Sequence, residues 1–153
     1  AVYKIGLATS PDGTTWTKHA GNPVLAGTPG EWDGNFAMWP AVIKNGGVYE
    51  MWYTASGKTG RATSPDGIHW TKEASNPVLA QGWNGGMAVQ AGVLLTGGAY
   101  KGWRRSGPAS DSSIGYAESP DGIQWTLSPD NPVIAPGQKQ YVNLPVVFKS
   151  TSP

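Results

Sequence analysis

Ser119-Pro120-Asp121-Gly122-Ile123-Gln124-Trp125 is one of three closely related heptads in this chain of 153 residues. The others are Ser10-Pro11-Asp12-Gly13-Thr14-Thr15-Trp16 and Ser64-Pro65-Asp66-Gly67-Ile68-His69-Trp70. Pro presets φ at the first corner of a turn. Asp suits the second corner and can accept backbone N–H groups, and Gly takes the left-handed position that closes a bulged hairpin. The Trp then falls on the returning strand as a large apolar anchor. One such heptad would say little. Three, spaced 54 and 55 residues apart, signal a repeat architecture.

Outward from the heptads, a second motif keeps the same step. Asn22-Pro23-Val24-Leu25, Asn76-Pro77-Val78-Leu79 and Asn131-Pro132-Val133-Ile134 lie twelve residues after each Ser. Pro is barred from a central ladder position there and favours an extended exit from a strand. Gly-rich stretches with an aromatic–polar pair come next, Trp32-Asp33-Gly34 and Trp83-Asn84-Gly85. Apolar runs follow: Trp39-Pro40-Ala41-Val42-Ile43, Gln90-Ala91-Gly92-Val93-Leu94 and Leu144-Pro145-Val146-Val147-Phe148. Their lack of clean alternation predicts a strand buried on both faces. Asn45-Gly46-Gly47 and Thr96-Gly97-Gly98 are hairpin turns into Val48–Tyr53 and Ala99–Arg104.

Each unit therefore reads as four short antiparallel strands in roughly 54 residues, with no helical period. Tandem four-stranded sheets are the blades of a β-propeller; a β-solenoid, with shorter repeats, is the competing architecture. The expected fold is an all-β propeller segment of about three repeats, two whole blades plus a split one. The repeats run approximately over 1–34, 35–86 and 87–140, with 141–153 starting the next blade. The chain is expected to begin at or just before a third strand (Ile5 to Thr9), and Phe148 to Pro153 followed by Ala1-Val2-Tyr3-Lys4 imitates Ile43 to Glu50, with about eight residues missing at that seam.

Composition bounds the function. Hydrophobic residues make up 39% and charged residues 14%, with 22 Gly, 13 Pro and 8 Trp, so the chain can form a core and is not of disordered composition. A net charge of +1 implies no general attraction to nucleic acid or anionic membrane. Zero cysteines exclude disulfides, thiolate metal sites and a cysteine nucleophile. No apolar run approaches the roughly 20 residues of a membrane span. A soluble chain is expected, with secretion and a cytoplasmic location both compatible. His19 and His69 are not spaced as a metal pair, and no metal or cofactor is implied.

The string Ile114-Gly115-Tyr116-Ala117-Glu118-Ser119-Pro120-Asp121-Gly122-Ile123-Gln124-Trp125, with Asn131-Pro132-Val133-Ile134 after it, resembles the blades of the five-bladed glycosidase superfamily. Tyr49-Glu50-Met51-Trp52-Tyr53 extends the resemblance, which spans nearly the whole chain. The superfamily includes glycoside hydrolase families 32, 43, 68 and 130. The heptad also looks like the sialidase Asp box, with Gly directly after Asp as a departure. The resemblance implies carboxylates at the starts of the innermost strands, working in pairs as general acid and as base or nucleophile. The matching stretches here, Phe36–Pro40, Met87–Ala91 and Tyr141–Pro145, contain no Asp or Glu. Only Asp33 lies close to such a start, and its counterpart is Asn84. No catalytic residue is assigned.

Asp12, Asp66 and Asp121 are expected to serve their turns, and Trp16, Trp70 and Trp125 to pack between blades. Trp32 and Trp83 sit where the superfamily binds sugars. An aromatic ring there can stack on a pyranose while Asp33 or Asn84 bonds its hydroxyls, with blade packing as the competing reading. Trp39, Gln90 and Asn143 are placed to line the central channel. Three blades do not close a ring, since propellers have about four or more. The expected partner is a second copy, giving a six-bladed homodimer. The sequence thus points to a non-catalytic propeller module, structural or carbohydrate-binding. A glycoside hydrolase, or a fragment of one, is the alternative.

Overall fold

In the computed structural model, residues 2–83, 85–106 and 113–135 are described. All regular structure in them is extended. After four two-residue strands, β1 (Lys4–Ile5), β2 (Ala8–Thr9), β3 (Thr17–Lys18) and β4 (Leu25–Ala26), come two full sheets. One contains β5 (Met38–Asn45), β6 (Val48–Ala55), β7 (Lys58–Ser64) and β8 (Thr71–Lys72). The other contains β9 (Val89–Thr96), β10 (Ala99–Ser106), β11 (Ser113–Ser119) and β12 (Thr126–Leu127). Each is an antiparallel meander in sequence order, as expected for a blade.

The four short strands repeat the outer half of a blade. Ile5 pairs with Leu25 as Thr59 bridges Leu79 and Ile114 bridges Ile134. Thr9 pairs with Thr17 as Thr63 pairs with Thr71. The Tyr3 carbonyl accepts the Ala37 N–H at 2.9 Å, the place held by Gly57 against Ala88 at 2.7 Å. Tyr3 thus leads directly into the third strand of its unit, as Gly57 does.

Side-chain alternation along β6 explains how the sheets stack. Met51, Tyr53 and Ala55 enter one core with Ile5, Leu25, Ala37 and Ala62, between the N-terminal strands and the first full sheet. Trp52, between them in sequence, enters a second core with Val93 and Tyr100, between the two full sheets. The first strands β5 and β9 carry most of the contact between those sheets. Among the described residues the sheets do not close a ring.

One burial expectation is corrected. β6 is buried from Glu50 to Ala55, whereas β5 is mostly exposed or half-buried, with Val42 48% exposed. Its apolar composition was read as burial on both faces. The strand instead occupies the open edge of its sheet, where only Ala41 and Ile43 join a core.

Candidate functional site

The three heptads fold alike. In each, the Ser Oγ accepts the Gly N–H at 2.8 Å and donates to the Asp Oδ1 at 3.0 Å. Oδ1 accepts the next two N–H groups after Gly at 2.7–2.8 Å. The Gly φ values are +78°, +78° and +75°, the left-handed conformation the sequence required. These bonds hold the Asp12, Asp66 and Asp121 carboxyls well below the usual carboxylate range. At Asp66 the largest contribution is the bond to the His69 ring, Nδ1 to Oδ2 at 2.7 Å.

The heptad Trp residues share a local bond, Nε1–H to the Gly carbonyl at 3.0–3.1 Å, but not an environment. Trp70 packs against the first core and Trp125 against the second. Trp16 is 60% exposed. Among the described residues, no sheet lies on its side of the N-terminal strands.

The Asn-Pro motif has a function that the reading of its Pro did not capture. Asn76 Oδ1 accepts the Arg61 N–H at 2.7 Å and its Nδ2 donates to the Arg61 carbonyl at 2.9 Å. Asn22 does the same to Leu7, and Asn131 to Tyr116. The primary amide thus replaces a strand neighbour at one ladder position. The signal was the recurrence of Asn itself, fifteen residues after each bonded partner.

Trp32 and Asp33 lie in the turn before β5. Asp33 is 1% exposed. Its Oδ1 accepts the Thr28 N–H at 2.9 Å, and its Oδ2 accepts the Tyr53 hydroxyl at 3.2 Å and the Lys72 ammonium at 2.5 Å. Burial, reinforced by the Asp33 charge, pushes the Tyr53 phenol up beyond the usual range. Trp32 tilts on the Tyr53 ring, with centroids 5.8 Å apart, and covers Gly60 so closely that a Cβ there would meet the indole at 2.7 Å. Trp83 covers Gly115 in the same way, at 2.2 Å. Both indoles therefore fill glycine gaps in the third strand of their sheet. A polar cavity of about 270 Å³ opens beside Asp33, lined by Thr28, Glu31, Trp32, Lys72 and Glu73.

Trp39 differs from both. It stands in a β-bulge, where Met38 faces Thr54 and Ala41 faces Trp52, so that Trp39 and Pro40 oppose one residue. Its φ of +51° is rare outside glycine, and its ring is 43% exposed. β9 carries a similar irregularity, with Gln90 facing Arg104 and Gly92 facing Trp103. Asn84 and Asn143 lie outside the described residues.

A buried ionic network was not foreseen. Arg61 bonds Glu50 at 3.1 Å and Glu73 at 3.2 Å, and Glu50 accepts Tyr100 at 3.1 Å and Asn45 at 3.0 Å. It joins β6, β7 and β10 across the second core. No periodicity announces it, because its members come from different strands. Nearby, Arg104 is fully buried 4.1 Å above the Trp125 ring, and among the described residues none of its guanidinium nitrogens is hydrogen-bonded. Desolvation pulls its pKa down from the usual arginine range.

His19 and His69, far apart in sequence, line one open cleft of about 460 Å³ with Pro23 and Trp70. Among the described residues no group of three or more potential metal ligands occurs. Among the described residues no helix is long and apolar enough to cross a membrane.

No protein-family profile matches the chain. Uncharacterized proteins from two strains of Mycobacterium tuberculosis are 30% identical to it over 132 residues, 79% of this chain and 43% of theirs. The chain thus spans less than half the length of the curated relatives it matches. Among solved structures it is similar to a family 117 glycoside hydrolase of Zobellia galactanivorans, with a TM-score of 0.72, 19% identity, and 86% of this chain covering 43% of that one. For the GH32 β-fructofuranosidase of Bombyx mori the TM-score is 0.64 at 16% identity, covering 80% and 27%. For a glycosyl hydrolase of Bacteroides ovatus it is 0.54 at 24%, covering 63% and 32%. These likenesses, all under 25% identical, show the fold alone: the chain shares the fold of these glycoside hydrolases.

Proposed function

We propose that the chain is a non-catalytic propeller module, structural and self-assembling, with a carbohydrate contact on its innermost strand. The observation that carries this reading is the state of Asp33. It is the carboxylate nearest an inner-strand start, yet both its oxygens are held by an ammonium, a phenol and a backbone N–H. Glycosidic cleavage needs one carboxyl free to give a proton and another free to attack or to activate water. The stretches Phe36–Pro40 and Met87–Ala91 offer neither.

The carbohydrate contact rests on Trp39 rather than on Trp32 or Trp83. Those two are spent on Gly60 and Gly115, while Trp39 presents an exposed ring from a strained bulge on β5. An exposed indole can stack on the apolar face of a pyranose. A second copy of the chain is the proposed partner, completing a six-bladed ring.

The competing reading, a glycoside hydrolase or part of one, is favoured by the solved neighbours, which are themselves glycoside hydrolases. A panel of aryl glycosides and polysaccharides separates the two. No turnover is expected, with weak polysaccharide retardation in affinity gels that Trp39→Ala abolishes. Turnover that disappears in Asp33→Asn would overturn the non-catalytic reading. Size-exclusion chromatography with light scattering tests assembly. A mass near twice the 16.1 kDa of one chain is expected, and a soluble monomer would end the self-assembly reading.

A further inference from the structure

The junction between the two full sheets shows in atomic detail what one blade asks of the next. Trp52 of β6 gives its Nε1–H to the Gly122 carbonyl at 2.8 Å. Its ring meets Trp125 edge-on at 6.1 Å and would collide with any Cβ on Gly122, at 2.7 Å. Arg61 braces the other side of the indole, 5.8 Å from the ring. The junction is therefore a donor tryptophan on the second strand, seated on the Gly carbonyl and the Trp of a heptad.

Among the described residues there is one further such donor and one further open seat, on opposite faces. Trp103 holds the place on β10 that Trp52 holds on β6, opposite Tyr116 as Trp52 is opposite Arg61. Tyr116 braces it with ring centroids 5.3 Å apart. Among the described residues nothing accepts its Nε1–H. At the other end, the heptad Ser10–Trp16 is fully folded, and no described residue sits on it. Nothing lies within 4 Å of a Cβ placed on Gly13, and Trp16 is 60% exposed. The Gly67 seat is different. β1, β2 and Val24 already wall its apolar cavity of about 340 Å³.

We infer that Trp103 of one copy docks on the Gly13 carbonyl and Trp16 ring of a second copy, reproducing the Trp52–Gly122 junction between chains. The inference rests on the self-assembly part of the proposed function and names its contact. The two surfaces differ, so the interface is heterologous, and two copies that satisfy both ends form a closed pair.

The test uses Trp103→Ala, Trp16→Ala and their equimolar mixture, with mass read by light scattering and folding by circular dichroism. Each variant alone should raise the dimer dissociation constant at least tenfold. Mixing them leaves one intact junction, Trp103 of one variant on Trp16 of the other, and should restore dimers. Trp16→Ala removes an exposed ring, so it carries the test even if Trp103→Ala proves unfolded. A dimer unaffected by Trp16→Ala, or two folded variants whose mixture stays monomeric, would overturn this contact while leaving self-assembly standing. A wild-type monomer would overturn both.

Discussion

The indole nitrogen of Trp52 lies 2.8 Å from the carbonyl oxygen of Gly122, and the two residues are 70 positions apart in the chain. Gly122 C=O also accepts its own heptad Trp125 at 3.1 Å. One carbonyl therefore ties the local turn to the neighbouring sheet.

Removing that tie should cost measurable stability. Trp52→Phe keeps most of the buried ring and leaves the Gly122 carbonyl with one donor fewer. A loss of about 1–2 kcal/mol is expected in urea unfolding. Trp52→Ala opens the core and should lose about 3–5 kcal/mol. Equal losses for the two variants would show that the hydrogen bond has no separate role.

Acid should act through the heptads. Asp12, Asp66 and Asp121 have folded-state pKa values below the ordinary 3.8. A depressed carboxyl contributes stability that is fully present above 3.8 and is lost as pH falls from there through the folded value. The thermal midpoint of the wild type should therefore drop as pH falls below the ordinary carboxylate value. A variant with all three changed to Asn should start lower at neutral pH and fall less steeply. Parallel acid slopes for the two proteins would refute this.

The Asn76 amide offers the Arg61 backbone an acceptor and a donor at once. Asn76→Asp retains the acceptor and loses the donor. Asn76→Ala loses both and should destabilise by about 2 kcal/mol, more than Asn76→Asp, by denaturant midpoint. If Asn76→Asp is the worse of the two, repulsion rather than the missing donor governs the site.

Arg104 should be dispensable for stability. Among the described residues its buried guanidinium has no hydrogen bonds and lies over the face of Trp125. Cation–π attraction is worth about 2 kcal/mol when desolvated, comparable to the cost of unsatisfied buried donors. Arg104→Met keeps similar bulk without the charge, and an unchanged or higher thermal midpoint is expected. A fall of ten degrees or so would reveal a stabilising role that these contacts do not account for.

The repeat, the strand count and the heptad turn were legible in the sequence. Their determinants are local: Pro, Asp and Gly at fixed offsets set φ and satisfy N–H groups within three residues. The roles of the tryptophans were not legible. Trp16, Trp70 and Trp125 occupy the same place in the motif and make the same bond, yet one is exposed and two are packed. What separates them is whether another sheet lies alongside, which no window of seven residues encodes.

The candidate site divided in the same way. Trp32 and Trp39 are seven positions apart; Trp32 was read as stacking on a sugar or packing within the blade, and Trp39 as lining the central channel. Trp32 is consumed by Gly60 of β7, and Trp39 is turned outward by a bulge against β6. By itself the sequence determined which segments become strands and turns, because short-range sterics and hydrogen bonds decide them. Only the tertiary structure decided which aromatic rings were left for a partner, because burial depends on side chains that the chain brings together from tens of residues away.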